Sequence, residues 1–164
     1  SSRARLSSSQ RGPVMGDRCY FEMTVGEAGL RKALADEDND LEHLSYLVDC
    51  AEEPVNGWIN VIDEAANYGN IELIEMAASA CLTFRGFAGS GDSYDATRFT
   101  CLRGSLREVV TGTEGDGYLV AFDDSGPLRG DVAGVLEFRK LDTKVLKLIN
   151  AGPLEMLGAA HEEE

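Results

Sequence analysis

The sequence predicts an α+β domain in which paired amphipathic helices carry a small antiparallel β insertion. Three observations lead there. Apolar residues fall at helical spacing on both sides of Gly69, a weaker copy of the same stretch precedes it at Ala33 to Val48, and the middle of the chain is rich in Gly, Ser, Thr and Asp with short β-branched and aromatic runs. At 164 residues and 43% hydrophobic composition the chain is long enough to bury one real core.

The first element to justify is the stretch Val55 to Leu82. Val61, Ile62, Ala65 and Ala66 recur at helical spacing, and Ile71, Ile74, Met76 and Ala77 resume the period after Gly69. Two short helices follow, with Gly69 at the stop because it lacks a Cβ and enters the left-handed region without penalty. Asn70 is placed to cap the second helix, and Glu72 has the right sign for its first turn.

The string EAANYGNIELIEMAA resembles the inner part of an ankyrin repeat: two alanines, a gap, glycine, a polar residue, then an apolar, acidic, apolar, apolar run. Sliding Ala33–Val48 over Asp63–Ala78 sets Ala35 on Ala65, Asn39 on Gly69, Leu41 on Ile71, Glu42 on Glu72 and Leu44 on Ile74. Asn is the other residue that tolerates a left-handed turn. The resulting period is close to the ankyrin length. A third fragment, Leu141 to Gly152, resembles the second helix and its exit, with Val145, Leu148 and Ile149 on one face. A plain helical hairpin fits the same residues. The resemblance implies a protein-binding surface on the repeat turns, formed by Trp58, Asn60, Asn67 and Tyr68 with Glu52 and Glu53. Trp58 reads either as an interface anchor or as a lid on the core.

Along the chain, residues 1–16 form a basic tail and 17–164 a single domain, divided into a helical-repeat part 26–82, a β-rich part 83–141 and a C-terminal helix 142–152 with its tail. The strands expected in the β-rich part are Thr97–Leu102, Leu106–Thr111 and Tyr118–Phe122, with Thr111–Gly117 closing a hairpin and Ser125–Asp131 a broad turn. Val135–Leu141 fits either a further strand or the start of the last helix. The tail holds three arginines, five serines and no acid. It reads either as an organelle-targeting remnant, plastid before mitochondrion, or as a disordered basic tail.

Charge narrows the partners. The formal net charge is −14, and no Lys or Arg stands between Lys32 and Arg85 while twelve acids do. Phosphate backbones would be repelled, so nucleic acid is excluded as a partner. A protein with a basic surface is favoured, unless the acids serve solubility alone. No apolar run is long enough to span a bilayer.

The chemistry-bearing residues form no catalytic or cofactor constellation. Cys19, Cys50, Cys81 and Cys101 lack metal-ligand spacing, and Cys50 and Cys81 read as small buried hydrophobes at helix ends. Gly86–Ser93 lacks the lysine of a phosphate loop. Asp36, Asp38 and Asp40 alternate as in a calcium loop, but Leu41 and Leu47 occupy the glycine and closing glutamate positions. His43 and His161 have no nucleophile near them in sequence. No cofactor is implied, and two functions remain: a non-enzymatic interaction or scaffold subunit, with a peripheral place on a plastid photosynthetic complex as one setting, or a small ligand-binding or enzymatic domain with a pocket of Phe84, Phe87, Phe99, Tyr118 and Phe122.

Overall fold

A computed structural model describes residues 18–91, 95–112, 115–120, 122–123, 126–127 and 129–152, and their side chains outside 122–131. The element at its centre is β1 (Arg18–Gly26), whose Cys19, Phe21, Met23 and Val25 are buried in strict alternation. It pairs antiparallel with β2 (Trp58–Asn67) on one side and with β3 (Phe84–Ala88) on the other. Then β4 (Thr97–Leu102) pairs with β3, and β5 (Ser105–Val110) with β4. The result is one five-stranded antiparallel sheet in the order β2-β1-β3-β4-β5.

Four helices among the described residues cover it. α1 (Glu27–Ala35) and α2 (Glu42–Asp49) connect β1 to β2, and α3 (Ile71–Ser79) connects β2 to β3. Leu30, Leu44, Leu47, Leu73 and Ile74 from these helices pack on Phe21, Met23, Val61, Phe84 and Phe99 of one sheet face. Phe99 stacks on Phe21 at 5.6 Å and meets the edge of Phe84 at 5.9 Å. α4 (Arg129–Ala151) crosses the opposite face over β3, β4 and β5, burying Phe138, Val145 and Leu148. A short ribbon of β6 (Phe122–Asp123) and β7 (Gly126–Pro127) precedes α4.

The ankyrin-like helical hairpins expected from the sequence are not what forms. The fold is α+β, but built on a five-stranded sheet, and the first helix of the central pair is the strand β2. The reason is a β-bulge. Cys19 pairs with Ala66 and Phe21 with Asp63, so one residue of β1 faces two of β2. The bulge shifts the inward parity from Val61 to Ala66, which makes a strand of period two look like a helix. A tight turn at Asn56 and Gly57, both at positive φ, launches the strand through the Val55–Trp58 bridge. The other half of the supposed repeat does form a helical pair, α1 and α2, but Asn39 is not left-handed; its side chain instead donates to the Ala33 carbonyl at 3.1 Å.

Elsewhere β4 has the expected bounds, β5 lies within a residue of them, and Val135–Leu141 is interior to α4. Gly152, at φ 112, follows the end of α4. Cys50 and Cys81 are exposed, not buried, and all four cysteines are free thiols. The tails, residues 1–16 and 153–164 with His161, lie outside the described residues, as do parts of the stretch Gly86–Ser93, whose first three residues belong to β3, and of the expected Thr111–Gly117 hairpin and Ser125–Asp131 turn.

Candidate functional site: a cleft at the bulge of the edge strand

Just past the bulge, where β2 ends, three consecutive residues take left-handed backbone angles: Tyr68 at φ 52, Gly69 at φ 65 and Asn70 at φ 56. L-residues rarely follow one another there, because each non-glycine costs about 1–2 kcal/mol, with Asn at the low end. The turn holds because Asn70 is anchored. It stands at the N-cap position of α3, yet its amide does not cap the helix; it donates to Asp63 Oδ2 at 3.2 Å.

Asp63 is the node of this region. Its Oδ1 accepts the backbone N–H of Ala65 at 3.1 Å, fixing the bulge from within the strand. Its Oδ2 also receives His43 Nε2 at 3.1 Å, tying in α2. Arg18 completes the clamp by donating to the Ala65 carbonyl at 3.2 Å. Burial alone pushes the Asp63 carboxyl up, but the hydrogen bonds from Asn70, Ala65 and His43 outweigh it and hold the group below its ordinary value of 3.8. The carboxylate is therefore a fixed negative charge. His43, half exposed, stacks on Tyr46 with ring centroids 6.4 Å apart.

This node forms the floor of a cleft of about 810 Å³ between α2, the bulge and α3. Asp40, Glu42, Asp63 and Glu72 supply acid, and Tyr68, Ile71 and Met76 supply apolar surface that is 50%, 49% and 38% exposed. The six residues expected at a contact surface divide between two places. Asn67 and Tyr68 line this cleft. Glu52, Glu53, Trp58 and Asn60 line a second one of about 540 Å³ at the far end of β2. There Trp58 is 4% exposed, donates to the Gly152 carbonyl at 2.9 Å and closes the core against the end of α4.

Sequence reasoning missed the joint role of His43, Asp63 and Asn70. Asn70 reaches Asp63 across the local turn, but His43 is distant in sequence, and only the topology that lays α2 beside β2 brings it to Asp63. The aromatic residues of the alternative pocket point differently: Phe84 and Phe99 fill the core, Phe87 alternates to the opposite face, and Tyr118 rests edge-on against Phe138 at 6.2 Å. Among the described residues no group of three or more His, Cys, Asp or Glu is placed to hold a metal ion, and no helix is long and apolar enough to cross a membrane. No protein-family model, curated protein or solved structure matches the chain.

Proposed function

We propose that the chain is a non-enzymatic interaction or scaffold subunit that docks a partner protein of basic surface into the cleft between α2, the β2 bulge and α3. One observation carries this reading: the cleft joins a rim rich in acid, Asp40, Glu42 and Glu72 with Arg18 and His43 beside them, to exposed apolar side chains on a backbone held rigid at a cost in strain. Strained backbone persists where surrounding contacts over-determine it, and such places concentrate at binding sites. The acids steer and select a cationic partner, while Tyr68, Ile71 and Met76 supply the desolvated contact. A plastid membrane complex as the setting belongs to the same proposal and rests on residues 1–16 of the sequence.

The test compares proteins co-purified with the native chain and with an Ile71→Ser, Met76→Ser variant, at low and moderate salt. Expected is a defined partner, with a basic surface, that the variant loses and that added salt weakens. Identical recoveries from both chains would move the contact surface elsewhere.

A further inference from the structure

The charge of this chain is unevenly placed, and the sheet order turns that asymmetry into geometry. No Lys or Arg stands between Lys32 and Arg85, whereas three of the four lysines lie on α4. Because β2 and β5 are the two edges of one sheet, the acidic cleft lies at one edge and the stretch of α4 around Lys140 at the other. There a groove of about 300 Å³ between β5 and α4 is lined by Arg107, Lys140 and Lys144, with Ser105 and a single acid, Glu137.

We infer that the occupant of the acidic cleft includes a second copy of this chain, entering with its β5–α4 groove, so that copies associate head to tail. This rests on the docking role proposed for the cleft and names one partner for it. The two surfaces are complementary in sign: Asp40, Glu42 and Glu72 on one copy meet Arg107 and Lys140 on the next. They belong to different edges, so the contact is heterologous and does not close on itself in a pair. Association therefore continues past the dimer, into a ring or an open chain. The net charge of −14 opposes this at low salt, and at physiological ionic strength, where the Debye length is about 8 Å, the long-range repulsion is screened while close pairs persist.

The experiment is sedimentation velocity on the full chain at roughly physiological salt across a concentration series. Beside the native protein stand Glu42→Gln with Glu72→Gln, and Arg107→Ser with Lys140→Ser, all four positions being exposed. Thermal melts check that both variants fold. The native mass should rise above the 17.7 kDa monomer and beyond the dimer with concentration. Each variant should associate at least about tenfold more weakly, the scale of losing close charge pairs. An equimolar mixture of the two should recover a 1:1 pair and nothing larger, since one intact edge remains on each. A native chain that stays monomeric, association indifferent to either variant, or a mixture that fails to pair would each overturn the inference. Loss of an external basic partner by the Glu42→Gln, Glu72→Gln variant, alongside a monomeric native chain, would leave the docking role standing without self-association.

Discussion

Arg85 on β3 and Asp142 on α4 meet in a two-point ion pair, with Nε 2.7 Å from Oδ1 and Nη2 2.9 Å from Oδ2. The side chains are 28% and 18% exposed, so the pair is largely withdrawn from water. The Asp142 hydrogen bond outweighs burial and raises the Arg85 pKa further. It is the polar bolt between the sheet and the helix that covers its second face. Asp142→Asn should cost about 1–3 kcal/mol in denaturant unfolding. Arg85→Met combined with Asp142→Leu should recover part of that loss, because the single variant leaves a charge unpaired.

Asp63 predicts an acid limb of stability. Its folded pKa is lowered, so the native state holds the carboxylate more tightly than the unfolded chain does. That contribution is fully present above the ordinary value of 3.8 and is lost as pH falls through the lower folded value. In Asp63→Asn the new amide would face the donors of Asn70 and His43. The variant should lose about 1–2 kcal/mol at neutral pH and show a shallower fall of stability in acid. Equal slopes in the two proteins would remove Asp63 from the acid response.

Two glycines should answer oppositely to alanine. A Cβ at Gly86 would lie 2.2 Å from the Glu22 carbonyl oxygen and 2.5 Å from Phe99 Cζ, inside the sheet. Backbone cannot yield there, so Gly86→Ala should cost about 3 kcal/mol or more. At Gly134, inside α4, a Cβ meets nothing within 4 Å. Gly134→Ala should therefore stabilise by about 0.5–1 kcal/mol. Thermal melts of both variants decide the comparison.

Thiol labelling should divide the cysteines by exposure. Cys50 and Cys81 should react with iodoacetamide in the native protein, while Cys19 and Cys101 stay protected. Burial pushes the Cys101 thiol up to about 11, which leaves little thiolate at neutral pH. Mass spectrometry of the alkylated chain reads the sites directly. Native labelling of Cys101 would mean that β4 opens locally.

Much of the β-rich half was legible because Thr97–Leu102 and Leu106–Thr111 carry plain strand composition. Gly152 was legible as a helix stop, and Gly69 as a left-handed turn, although what precedes Gly69 is a strand and not the expected helix. The first half misled for a physical reason. Val61, Ile62, Ala65 and Ala66 look helical because the bulge after Asp63 resets which side chains face inward. Two plainer signals were there: the Asn56–Gly57 turn between Val55 and Trp58, and the alternation of Cys19, Phe21, Met23 and Val25. The cleft was half legible, in its acids and in Tyr68, whereas the meeting of His43 with Asp63 depends on tertiary placement alone.

The position of β1 has a consequence for how the protein is born. It is the first described strand, yet it lies between β2 and β3, so both its neighbours are synthesised after it. Until the ribosome has delivered Ala88, Phe21, Met23 and Val25 have no complete sheet to join. At about 5–20 residues per second this leaves an apolar, β-prone segment uncovered for several seconds. Folding of the domain thus waits on contacts of long sequence separation, and the apolar strand stays open to aggregation until they form.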